Sequence, residues 1–273
     1  MIIRKMIKIL PGVALFIIFL FFYARILERK ALYYPSKEIN FFPSDIGLQY
    51  EDIFLNTFDG VKIHGWLIPA ENAYATVLYF HGNAGNVSHR VEIARMFYDK
   101  GINFFIIDYR GFGKSAGTPA EKGTYLDGIS AYNHLIEERK IPPEQIVIYG
   151  KSLGAAIAVD TAIKAKAGLL ICESGFTSTK DMAKDIFKFI PLWLFTGQKY
   201  DTISKIDKVR IPKLIIHSQN DEIVPFNHGK RLFEKANEPK EFYVMRGGHN
   251  DAFYIYNKEA MEKIVNFLKK YLQ

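Results

Sequence analysis

A serine, an aspartate and a histidine occur in this chain where a parallel sheet would bring them together. Ser152 sits in Gly150-Lys151-Ser152-Leu153-Gly154, a Gly-x-Ser-x-Gly pattern. The run Gln145-Ile146-Val147-Ile148-Tyr149 precedes it and the small helix formers Ala155-Ala156-Ile157-Ala158 follow. Between a strand and a helix, the two glycines permit a cramped turn with the serine hydroxyl at its tip. The N–H groups and dipole at the start of that helix favour the negative charge of an activated nucleophile. A serine hydroxyl also needs a base, and the base needs an orienting acid. His249, in Arg246-Gly247-Gly248-His249-Asn250-Asp251, follows the last expected strand. Asp221 follows the strand before it, in Ser218-Gln219-Asn220-Asp221-Glu222. Singly, each would be an ordinary loop residue; together, at three strand ends, they point to acyl transfer through a covalent intermediate. Glu173, after the strand that follows the serine, is the alternative acid and is otherwise structural.

The tetrahedral oxyanion of such a reaction needs two converging backbone donors. The N–H of Leu153, next to the serine, is one. The other is expected from His81-Gly82-Asn83-Ala84-Gly85-Asn86, at the N–H of Asn83, with His81 shaping the loop. The remaining histidines (His64, His89, His134, His217 and His228) have no comparable placement and are read as surface or core residues.

Three competing readings fail on spacing. Gly150-Lys151-Ser152 and Gly113-Lys114-Ser115 would each need a glycine five positions upstream to be a phosphate-binding loop, where Gln145 and Asp108 stand. Gly111 and Gly113 suggest a dinucleotide fingerprint, but Gly117-Thr118-Pro119 breaks the chain where a helix must start, so a tight loop is expected. Cys172, the only cysteine, lies in the strand-like run Leu169–Cys172 and reads as a small buried residue.

The elements that would position these groups alternate. Asp59-Gly60 between Tyr50–Leu55 and Val61–Ile68 signals a hairpin. Strands are expected at 75–80, 102–107, 145–149, 168–172, 212–218 and 241–245. Helices are expected at 87–100, 119–138, after Ser152, and at 226–236 and 258–272. Several strands are too apolar to have a wet face, which implies a mostly parallel sheet covered on both faces. Residues 49–273 form this catalytic domain, with a cap-like insertion at about 175–208. The insertion contains Phe187–Phe195, read as an apolar lid or as a helix packed on the sheet.

Ile9–Ala24 carries no charge, with Arg4, Lys5 and Lys8 before it and Arg25, Arg29 and Lys30 after it. It is expected to be an uncleaved signal anchor spanning residues 1–30 with its flanks, since no small-residue cleavage site follows. Residues 31–48 are expected as a linker. The net charge of +7 is concentrated here: residues 1–40 hold +5 of it, and the nearly neutral remainder leaves no nucleic-acid footprint.

With these motifs in place the chain resembles the α/β-hydrolases, and more narrowly the membrane-anchored alpha/beta hydrolase domain-containing proteins of the serine hydrolase group. The matching stretches are His81–Asn86, Asp108–Ser115, Tyr149–Gly154 and Gly248–Asp251. The resemblance implies Ser152 as nucleophile, Asp221 as acid and His249 as base. It also implies a type II anchor with a cytoplasmic N-terminus, which in a bacterium is the inner membrane with the catalytic domain outside the cytoplasm. Lys151 and Ala155 depart from the arginine and glycine of many relatives. Some relatives cleave fatty-acyl thioesters from proteins, so the substrate class stays open. The expected activity is cleavage of a carboxylic ester or thioester, with acyl or lipid substrates among the candidates, by a monomer without metal or cofactor. A serine peptidase or amidase and a catalytically silent, membrane-tethered scaffold are the alternatives.

Overall fold

Alternation of apolar residues on two faces builds the centre of the molecule. The computed structural model of the chain describes residues 15–16, 19, 22–188, 193, 196–255 and 257–272. Its main sheet has eight strands: β1 (Glu51–Asn56), β2 (Lys62–Ile68), β3 (Ala75–Phe80), β4 (Ile102–Asp108), β5 (Ile146–Lys151), β6 (Leu169–Glu173), β7 (Lys213–Ser218) and β8 (Lys240–Met245). They lie in the order β8-β7-β6-β5-β3-β4-β2-β1. The β1–β2 hairpin predicted from Asp59-Gly60 is antiparallel, as is the β2–β4 pair. Every other pairing is parallel.

Because side chains alternate along a strand, Leu78 and Phe80 of β3 join one core while Val77 and Tyr79 join another on the opposite face. Among the described residues, eight α-helices accompany the sheet: α1 (22–32), α2 (Val91–Tyr98), α3 (Glu121–Glu137), α4 (Leu153–Lys164), α5 (Thr179–Ile186), α6 (Phe226–Lys235), α7 (Ala252–Ile255) and α8 (Asn257–Leu272). Helices α3, α4 and α6 contribute Leu135, Ile157 and Leu232 to the first core. Helices α2 and α8 contribute Phe97 and Ile264 to the second. The doubly covered, mostly parallel sheet expected from the apolar runs is what forms.

Strand register decides which loops meet. Phe80 pairs with Gly150, so the residues following β3 and β5 emerge side by side. The chain leaves these two strands in opposite directions, which opens a crevice at their carboxyl ends. Ser218 likewise pairs with Met245, so the loops after β7 and β8 emerge together.

The N-terminal region differs from expectation in one respect. Residues 31–48, read as a linker, are stitched to the domain. Tyr34–Pro35 pairs in parallel with Ala84–Gly85. Asn86 Nδ2 donates to the carbonyls of Ser36 (3.1 Å) and Glu38 (2.6 Å), and Tyr33 and Leu48 are buried. The bonding partners here are backbone atoms, which no residue pattern announces. Most of the predicted span 9–24 lies outside the described residues. Among the described residues, no helix is long and apolar enough to cross a membrane.

Candidate active site

The Gly-x-Ser-x-Gly turn has the geometry its spacing demands. Ser152 sits between β5 and α4 at φ 55° and ψ −118°, a conformation that L-residues occupy only when the surroundings enforce it. Its N–H donates to the Glu173 carbonyl at 2.8 Å, which ties the turn to β6. A side chain at Gly150 would overlap the Gly154 carbonyl, and one at Gly154 would overlap the Phe80 carbonyl. Gly154→Ala must therefore push α4 off β3. The expected cost is about 1–3 kcal/mol with displacement of Ser152, read as a lowered denaturation midpoint together with weaker labelling by a serine-directed probe.

The aspartate and histidine meet as the register requires. The Asp221 carboxylate accepts from the N–H groups of Ile223 (3.0 Å) and Val224 (2.7 Å) with Oδ1, and from His249 Nδ1 at 2.7 Å with Oδ2. Burial pushes the Asp221 carboxyl up, but the His249 hydrogen bond and the Val224 N–H outweigh it and hold the group below its usual range. With Nδ1 donating to Asp221, Nε2 of His249 is left as the basic nitrogen. The His249 N–H donates to Glu222 at 2.9 Å, and Ser218 Oγ donates to the Gly247 carbonyl, so both loops are braced from the sheet. His217, 3.6 Å from the same Asp221 oxygen, donates its Nε2–H to the Val224 carbonyl at 2.9 Å instead. Burial pushes His217 down and keeps it neutral, so it braces the acid loop without competing for its charge.

The loop after β3 lies against the serine, with the Gly82 Cα beside the Ser152 side chain. Among the described residues, the N–H groups of Asn83 and Leu153 have no hydrogen-bond acceptor. Two free donors beside a nucleophile are what an oxyanion site requires. His81 shapes this loop, as its position suggests: Nδ1–H donates to the Gly82 carbonyl at 2.7 Å, and the ring lies 4.5 Å from that of Tyr109. Tyr109 in turn donates to the His81 carbonyl at 2.7 Å. Beneath it, Asp108 accepts from the Val87 N–H at 2.9 Å and lies between His64 (3.4 Å) and His81 (3.6 Å). Burial raises the Asp108 carboxyl, yet the two flanking histidines hold it below the ordinary carboxylate range. The Asp108–Ser115 motif thus has a structural task. Its Arg110 ties buried Asp127 (2.8 Å) to Asp59 of the hairpin (2.8 Å).

Glu173 is committed elsewhere, to Lys151 Nζ (2.8 Å) and the Tyr149 hydroxyl (2.6 Å). This buried ion pair next to Ser152 was not legible from the sequence, although the β5–β6 register pairs Lys151 with Glu173 directly. Cys172 is buried, which pushes its thiol up to about 12. It is expected to resist maleimide in the folded protein and to react after denaturation, as a mass shift would show.

Ser152 and His249 open on one cavity of about 730 Å³, lined mainly by apolar side chains that include Leu27, Phe176, Met182, Ile186 and Ile223. Helix α5, in the cap-like insertion, buries no residue and instead forms part of this wall. Within the predicted lid stretch Phe187–Phe195, residues 189–192 and 194–195 lie outside the described residues.

Comparison with known proteins places this geometry in context. A family model described as "Serine aminopeptidase, S33" matches residues 71–200. The "Alpha/beta hydrolase domain-containing protein WAV2" of Arabidopsis thaliana is 33% identical, over 96% of this chain and 92% of that protein. Protein bem46 of Schizosaccharomyces pombe is 36% identical, over 82% of this chain and 80% of its own length. Among solved structures, the Pyrococcus furiosus esterase Pf2001 superposes with a TM-score of 0.75. That match spans 88% of this chain and all of that one at 22% identity, a likeness of fold.

Proposed function

As the chain belongs to the α/β-hydrolase superfamily, we propose that it is a serine hydrolase cleaving carboxylic esters or thioesters through an acyl-enzyme on Ser152. The observation that carries this reading is the strained Ser152 turn, opening with His249 on a cavity where two backbone N–H groups stand free. The Ser152 oxygen attacks the substrate carbonyl as His249 Nε2 takes its proton. The N–H groups of Asn83 and Leu153 stabilise the oxyanion. His249 then gives that proton to the departing alcohol or thiol. Water attacks the acyl-enzyme, its proton passing to His249 and then to Ser152 as the free acid leaves. Asp221 fixes the imidazole tautomer and offsets its positive charge.

The family model's description raises a peptidase reading. An aminopeptidase needs an anionic group for the substrate amine. Among the described residues the only carboxylate lining the cavity is Glu28, which already accepts from Gly197 N (2.6 Å) and Gln198 N (2.9 Å). An apolar cavity suits an acyl group better. The exposed apolar side chains Phe16, Phe19, Phe22 and Tyr23 just before α1's cavity-lining stretch support single-pass membrane attachment by the N-terminal segment; the type II orientation rests on the family resemblance alone. The test is labelling by a fluorophosphonate, followed by turnover of p-nitrophenyl butyrate against an alanine p-nitroanilide. Ester turnover with labelling at Ser152 supports the reading; anilide turnover alone favours the peptidase, and neither favours a silent scaffold.

A further inference from the structure

One wall of the cavity comes from outside the sheet and its loops. Ala24, Leu27, Glu28, Ala31 and Leu32 of α1 line it, and their spacing makes a single stripe along the helix. Met182, Ala183 and Ile186 of α5 line it as well. Helix α1 is fastened midway along this stripe and at its Leu32 end. Midway, Glu28 is held by the Gly197 and Gln198 N–H groups and pairs with Arg25 at 2.9 Å. At the Leu32 end the Leu32 carbonyl accepts from Asn83 Nδ2 at 2.9 Å, and the Tyr34 N–H donates to the Asn83 carbonyl at 2.9 Å. Tyr33, between them, shares a 2.7 Å hydrogen bond with Tyr200.

These contacts give the wall a direction. Its Leu32 end abuts the residue whose N–H would receive the oxyanion, and its Ala24 end lies roughly 12 Å further along, by the helical rise over eight residues. We infer that α1 is the acyl-chain specificity element of this hydrolase. The substrate carbonyl sits at Ser152, and a linear medium-to-long acyl chain runs beside α1 from Leu32 towards Ala24, with α5 on its flank. This rests on the serine-hydrolase reading and adds the substrate's shape to it. An acyl chain suits the wall because Ala24, Leu27, Ala31 and Leu32 offer no hydrogen-bonding side chain, and the cavity volume is that of an ordinary ligand pocket. It also gives a use to the departure from a free linker: a wall that sets chain length has to be fixed relative to the nucleophile.

A directional channel makes a graded test possible. Ala31→Phe and Ala24→Phe are compared with the parent on p-nitrophenyl butyrate, octanoate and dodecanoate. A second arm repeats the series with S-acyl thioesters of N-acetylcysteamine. The parent is expected to favour the longer chains. Ala31→Phe, near the carbonyl, should cut kcat/KM for octanoate and dodecanoate relative to butyrate by about tenfold or more. Ala24→Phe should cut dodecanoate alone. The same graded cut-off in both arms means the chain is recognised whatever carries it; a cut-off in one arm names that arm's leaving group as the source. A parent restricted to butyrate, or two variants with one common profile, overturns the inference. Fluorophosphonate labelling of each variant reads the nucleophile independently, and Ala31→Leu replaces Ala31→Phe if the latter does not label. Failure of the parent to label would sink the serine-hydrolase reading itself; labelling with a flat chain-length profile would sink only the channel.

Discussion

Ser152→Ala is expected to lower kcat for p-nitrophenyl butyrate on the order of a million-fold and to abolish fluorophosphonate labelling, while leaving the denaturation midpoint nearly unchanged. The kinetic loss follows from the route: without the hydroxyl there is no acyl-enzyme, and only the free N–H groups and the cavity remain to assist water. The unchanged stability follows from the turn. Alanine has the same difficulty as serine at φ 55°, so the strain persists on both sides of the comparison. The Ser152 backbone bond to Glu173 is also retained. His249→Ala should cost a similar factor, and the double variant little more than either single one, because nucleophile and base act as one unit. A double variant whose losses multiply would mean that the two residues do not share a step. Persistent labelling in Ser152→Ala would remove the nucleophile assignment altogether.

What the chain discloses about this site depends on whether side chains or backbone atoms do the holding. Gly150 and Gly154 are legible because only glycine fits against the Gly154 and Phe80 carbonyls, and the strand before them says where the turn points. Asp221 and His249 are legible as a pair only through the sheet, since 28 residues separate two loops that the Ser218–Met245 register makes neighbours. The hairpin, the parallel strands and the closing helix follow from turn chemistry and hydrophobic period. Helix α1 and the strap after it do not. The bonds from Asn83 and Asn86 that help fasten them end on the carbonyls of Leu32, Ser36 and Glu38, and a carbonyl is present at every position. Proline-broken sequence with no regular period reads as linker, although Asn83 and Asn86 of the loop after β3 supply donors that hold it. The Lys151–Glu173 pair was hidden for a different reason. Each residue taken alone looks like a surface charge or a spare acid, and only their registered positions on β5 and β6 show that each neutralises the other.

That commitment of Glu173 sharpens the consequence of altering the acid. Asp221→Asn should keep the fold and reduce kcat about 10⁴-fold, because an amide can present its N–H to His249 and so select the wrong tautomer. Glu173 has no route to rescue it, being bonded to Lys151 and Tyr149. The pH dependence separates this role from a merely structural one. The parent carboxyl is held below its usual range, so Asp221 stays ionised through the pH range in which His249 must be neutral. Stability reports the same carboxylate. A depressed folded pKa contributes stability that is present above the unfolded value of about 3.9 and is lost as pH falls through the folded one. Denaturation midpoints of parent and Asp221→Asn should therefore differ by a constant amount near neutrality and converge at acid pH. A variant that loses stability equally at every pH and keeps the parent's kcat would make Asp221 a loop brace and leave His249 without its acid.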